Sequence, residues 1–96
     1  MPKGYVVVTE DIHDQAGMAA YGQRALPTLA PAGGRLIVLD ETPEVIEGNW
    51  HGTRTVILEF DSVEAAQGWY CSPEYQDAVG LRLAASDCNA VILSGL

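Results

Sequence analysis

The stretch Trp69-Tyr70-Cys71-Ser72-Pro73-Glu74-Tyr75 decides how this chain is read. Trp69 and Tyr70 close one apolar-periodic segment, and Ser72-Pro73 opens another. A serine hydroxyl accepts from the free N–H groups of a helix's first turn. Proline at the first helical position lacks only an N–H that would have no helical partner anyway. The stretch is therefore predicted to be the seam between two helices. One runs back through Ala66 and Val63 to a cap at Asp61, which has capping-box spacing with Glu64, or at Ser62. The other runs forward with Tyr75, Val79, Arg82 and Leu83 on one stripe.

Upstream of the seam, residues 53–60 alternate with period two. Arg54, Val56, Leu58 and Phe60 share one face of a strand, and Thr55, Ile57 and Glu59 share the other. Residues 35–39 (Arg-Leu-Ile-Val-Leu) form a strand that Glu44 to Glu47 are expected to resume beyond a bend. Residues 5–10 (Tyr-Val-Val-Val-Thr-Glu) are β-branched and aromatic, as a central strand requires. Between them Asp14 caps a helix carrying Met18, Tyr21, Ala25, Leu26 and Leu29, with Pro27 kinking its last turn. Residues 87–93 make the last strand. The order strand, helix, strand, strand, helix, strand interleaves two split units into a four-stranded antiparallel sheet with helices on one face. This is a ferredoxin-like α+β arrangement, expected as one domain over residues 1–96. One face of that sheet is left without a cover, and a second copy of the chain is the expected lid.

Composition points the same way. The chain has 96 residues, of which 48% are hydrophobic, and a mean hydropathy of +0.07. A compact monomer of 10.3 kDa exposes about 5,400 Å², and so much apolar material exceeds what it hides comfortably. The net charge is −8, and Lys3, Arg24, Arg35, Arg54 and Arg82 are scattered. A nucleic-acid or anionic-membrane partner needs a concentrated positive field, so neither is expected. No apolar run reaches the ~18 residues of a membrane span. Cys71 and Cys88 form no Cys-x-x-Cys pair and have no histidine at ligand spacing, so small, mostly buried free thiols, a cytoplasmic location and no metal are expected.

Six residues are candidates for chemistry, each with an ordinary structural role beside the functional one. Tyr5, Tyr21 and Trp69 could wall a pocket for a small, planar or apolar metabolite, or simply pack the core. Arg54 could fork onto a ligand carboxylate or pair with an acidic neighbour. His51, in a Gly-flanked loop beside Trp50, is a candidate acid–base group or an exposed loop histidine. Glu59 is either a buried base with a raised pKa or a hydrogen-bonded structural carboxylate. Arg54 and Glu59 lie on opposite faces of one strand and cannot share a pocket.

The turn Gly33-Gly34-Arg35, the run Glu47-Gly48-Asn49-Trp50, the strand Val56-Ile57-Leu58-Glu59-Phe60 and the seam occur in an order and spacing that resembles the domain of unknown function 1330 family. The resemblance runs from Lys3 to Gly95, and its most specific part is the seam. It implies small bacterial proteins of the dimeric α+β barrel superfamily, in which two ferredoxin-like subunits pair their sheets. It implies no particular reaction, although superfamily members include cofactor-free monooxygenases and isomerases. Cys71 stands where many members carry histidine. Three readings remain open: an enzyme acting without cofactor on a small organic molecule, a metabolite-binding homodimer, and a purely structural homodimer.

Overall fold

The computed structural model describes residues 2–96. Its strands are β1 (Gly4–Ile12), β2 (Arg35–Asp40), β3 (Arg54–Phe60) and β4 (Ser86–Ser94), and its α-helices are α1 (Gln15–Ala25), α2 (Val63–Tyr70) and α3 (Pro73–Ala85). The strands form one antiparallel sheet in the order β2-β3-β1-β4. Each β–α–β crossover skips a strand that is filled from the other half, so the ferredoxin-like topology expected from the element order is the one the chain adopts.

The seam forms as anticipated. The Ser72 hydroxyl accepts from the Tyr75 N–H at 3.2 Å, and Pro73 opens α3. Ser62, rather than Asp61, caps α2, accepting from the Ala65 N–H at 3.0 Å. Asp61 is drawn away to Arg35 instead, at 3.3 Å. Two expectations fail locally. Residues 44–47 do not resume β2 but lie in an irregular loop, where Pro43 and the Gly48 turn leave the backbone unpaired with β3. Leu83 is exposed, because the buried stripe of α3 runs through Tyr75, Ala78, Val79, Arg82 and Ala85. Pro27 and Pro31 convert the end of α1 into two short 3-10 turns, closed by Gly33 with φ of 74°.

All three helices cover one face. Val6 and Val8 of β1, with Leu58 and Phe60 of β3, point into this layer and meet Ala66, Trp69, Tyr75 and Ala78. The seam supplies its aromatic centre: the Trp69 ring lies 4.0 Å from Tyr75 and 5.4 Å from Phe60, centroid to centroid. The other face presents Tyr5, Val7 and Thr9 from β1, Ile57 and Glu59 from β3, and Val91 and Leu93 from β4. No helix among the described residues covers it, and the result is a slab only 16 Å thick in its Cα trace. A register shift between Leu36 and Val38 makes a bulge at Ile37, so that Leu36 and Leu39 both face the helix layer.

Candidate functional site: a cavity beneath the first helix

Asp14 caps α1 by accepting from the Gly17 N–H at 3.0 Å. The helix packs chiefly on α3, where the Tyr21 and Tyr75 hydroxyls meet at 2.9 Å. Toward the sheet it presents small residues, Ala19, Gly22 and Ala25, so it cannot fill the space it spans. What remains is a cavity of about 290 Å³ between α1 and strands β1, β2 and β3. Val8, Met18, Leu29, Val56, Leu58 and Trp69 give it apolar walls, and exposed Leu26, Leu36 and Leu39 ring its mouth. Trp69 is held as a wall by its indole N–H, which donates to Thr28 Oγ1 at 2.8 Å.

One end of the cavity is ionic. Glu10 and Arg54 are register partners across β1 and β3, and Arg54 Nε donates to Glu10 Oε1 at 2.7 Å. Glu10 is 1% exposed. Burial of an ion pair costs several kcal/mol per charge before the partners' attraction is counted, so such a pair seldom exists for stability alone. The loop before β3 holds the pair in place: the Thr53 N–H donates to the Glu10 carbonyl at 2.9 Å. Gly52, at φ 80°, lies so close that a Cβ there would stand 2.5 Å from that same carbonyl oxygen.

Behind the cavity lies a second buried cation. Arg82 is 2% exposed, its guanidinium carbon lies 5.9 Å from the Tyr21 ring centre, and Nη1 donates to Cys88 Sγ at 3.0 Å. Burial foremost, then the neighbouring Tyr75 hydroxyl, pushes the Tyr21 pKa far up, so Tyr21 stays a neutral phenol across the working pH range.

Tyr21, Arg54 and Trp69 thus line the same cavity. Tyr5 does not: it stands on the uncovered face and donates to Glu59 Oε2 at 3.0 Å, while Arg35 Nε donates to Oε1 at 3.0 Å. The raised pKa anticipated as one option for Glu59 is reversed, because Arg35 first and Tyr5 second favour the ionised carboxylate and lower it. The same contact raises Tyr5. His51 is on the uncovered face as well, 2.8 Å from Thr9 Oγ1 and 3.8 Å from Asp87. Cys71, expected to be buried, is exposed, and Cys88 is partly so. Sequence reasoning passed over Glu10, although the signal was present. It is the one acid in the run 5–10, and period two puts it on the face of Val6 and Val8. Among the described residues, no group of three or more His, Cys, Asp and Glu is placed to hold a metal ion. Nor is any helix among them long and apolar enough to cross a membrane.

The order β2-β3-β1-β4 with helices on one face defines a ferredoxin-like fold. Within it, the chain belongs to the family described as domain of unknown function (DUF1330), which matches residues 3–96. Its fold is similar to that of a protein of unknown function from Rhodopseudomonas palustris, with a TM-score of 0.82 at 22% identity, covering 99% of this chain and 83% of the other. It is also similar to SnoaB from Streptomyces nogalater, described as a cofactor-independent oxygenase, with a TM-score of 0.71 at 12% identity, covering 100% and 95%. A protein of unknown function from Jannaschia sp. CCS1, described as dimeric and ferredoxin-like, has a TM-score of 0.66 at 18% identity, covering 95% and 97%. No curated protein matches in sequence.

Proposed function

We propose that this protein is a cytoplasmic homodimer whose subunits each bind a small, mostly apolar organic molecule in the cavity beneath α1 and act on it with their own side chains. The observation that carries this reading is the buried Glu10–Arg54 pair at the end of an otherwise apolar cavity. Apolar walls with a few convergent polar groups are the usual make-up of a ligand site. In such a site the carboxylate is the group that accepts a proton, while the permanently charged guanidinium binds, orients and stabilises negative charge where water screens it little. The fold shared with an oxygenase described as cofactor-independent is compatible with this, as an analogy of fold. Binding without turnover is the second reading. It is favoured by the 2.7 Å contact through which Arg54 and Glu10 already satisfy part of each other's needs.

The dimer rests on the uncovered face. The subunit exposes 5808 Å², above the roughly 5,400 Å² of a compact monomer of its mass. Val91, Leu93, Val45, Trp50 and the 83% exposed Ile46 are among its exposed apolar groups. The dimeric description of the Jannaschia protein supports the same reading.

The cavity is tested by filling it. Apart from its chain neighbours and its own helix backbone, no described atom lies within 4 Å of where a Gly22 Cβ would stand, so Gly22→Leu is expected to keep the fold and occupy the space. Naphthalene, taken as an apolar probe, is expected to bind the native protein and not the variant. Equal binding to both would place the ligand elsewhere and overturn the reading.

A further inference from the structure

Building on the cavity reading above, we propose that the ligand carries a phenolic or enolic hydroxyl, and that Glu10 receives the hydrogen bond from it. A carboxylate offers about four acceptor positions. Among the described residues only one side-chain hydrogen bond reaches Glu10, from Arg54 Nε to Oε1. Oε2 receives none, yet Glu10 is 1% exposed and lines the cavity. Oε2 is not among the sealed polar atoms left without a partner, so it is open to a donor, and the cavity that Glu10 lines is the direction from which a donor can come.

Arg54 narrows the class. Its Nη1 stands 3.9 Å from Glu41, too far for a hydrogen bond, and the hydrogen bond it makes to Glu10 uses Nε. The polar end therefore sets free guanidinium N–H donors beside a free carboxylate oxygen. A hydroxyl answers both, donating to Glu10 and accepting from Arg54. A ligand carboxylate would place a second negative charge against Glu10, and a ligand ammonium a second positive charge against Arg54. The hydroxyl is bonded to an sp² carbon because the remaining walls are apolar and partly aromatic, with Trp69 among them, and suit a flat body. An apolar cavity of about 150 Å³ takes benzene. The 290 Å³ here accommodates a body of about two fused rings.

Equilibrium dialysis of the intact protein against naphthalene, β-naphthol and the methyl ether of β-naphthol tests this without a variant. The naphthol should bind tighter than both others by about ten- to a hundredfold, the range of a hydrogen bond to a charged group. In Glu10→Gln the ratio of naphthol to naphthalene affinity should fall at least severalfold, and an unchanged ratio would overturn the assignment of the hydroxyl to Glu10. Equal binding of all three compounds by the native protein overturns this inference and leaves the cavity reading standing. Binding of none of them overturns both. If Glu10→Gln does not fold, the three-compound series decides alone.

Discussion

Removing the guanidinium of Arg54 while leaving Glu10 in place isolates what the buried pair contributes. In Arg54→Met the methylene stem and much of the volume remain, but Glu10, 1% exposed, loses its hydrogen-bond donor. Stranding one member of a buried pair costs about 3–5 kcal/mol. Arg54 keeps 17% of its side-chain exposure, which brings the loss to the low end, about 3 kcal/mol. A chain of this length has a total stability of roughly 5–15 kcal/mol, so the variant folds, but with a melting temperature lower by about 12–24 °C. The companion change Glu10→Leu with Arg54→Met removes both charges and should return to within about 1 kcal/mol of the native protein, since apolar replacement of a buried pair is often neutral. Urea titrations of the four proteins at one protomer concentration complete the cycle, with an expected coupling of about 2–3 kcal/mol. An Arg54→Met loss below about 0.5 kcal/mol, or a double variant as unstable as the sum of the singles, would refute the view of Glu10 as a desolvated, dependent carboxylate.

Three further outcomes are expected. Gly52→Ala forces a left-handed φ of 80° on a residue with a Cβ and drives that Cβ against the Glu10 carbonyl, so it should cost at least about 2 kcal/mol of stability, read as a lower urea midpoint at unchanged slope. Glu59 titrates below its ordinary 4.5 in the folded chain, so it stabilises the fold above that pH and loses this contribution as the pH falls further; Glu59→Gln should flatten the acid limb of the stability curve below pH 4.5 and leave its shape at neutral pH unchanged. Light scattering should give twice the 10.3 kDa protomer mass for the native protein, and Val7→Asp, placed between Ile57 and Val91 on the uncovered face, should reduce it to one protomer; a native mass of one protomer would end the dimer reading.

The fold was legible because its signals are local and mutually consistent. Ser72-Pro73 marks a helix start whatever surrounds it, and the alternation of 54–60 needs only a sheet with two unlike faces. The loop at 44–47 was misread because Val45 and Ile46 have strand-forming side chains, while the choice against pairing is made by Pro43, Gly48 and the distance to β3. The site was half legible. Aromatic content and the face of Arg54 drew attention to Tyr21, Trp69 and Arg54, but no sequence pattern tells a tyrosine on the helix side of a sheet from one on the other. Tyr5 was grouped with them for that reason. Glu10 escaped because an acid at the end of a strand ordinarily reads as solvent-facing. Its burial depends on Gly52 and Thr53 folding over it from more than forty positions away along the chain.

The bulge at Ile37 carries a consequence for how variants of this chain should sort. Along β1, β3 and β4 the helix-side positions are even-numbered: 6, 8 and 10, then 54, 56, 58 and 60, then 88, 90 and 92. Odd positions on those strands belong to the uncovered face. β2 obeys the same parity at Leu36 and breaks it at Leu39, because the inserted residue advances the pleat by one step. Adjacent codons in the three regular strands therefore answer to different selections, one for what the cavity holds and one for what the sheet meets. In β2 the cavity takes both Leu36 and Leu39, and deleting Ile37 would remove the bulge, keep Leu39 opposite Val56 at the cavity mouth and bring the strand back to the parity of the other three.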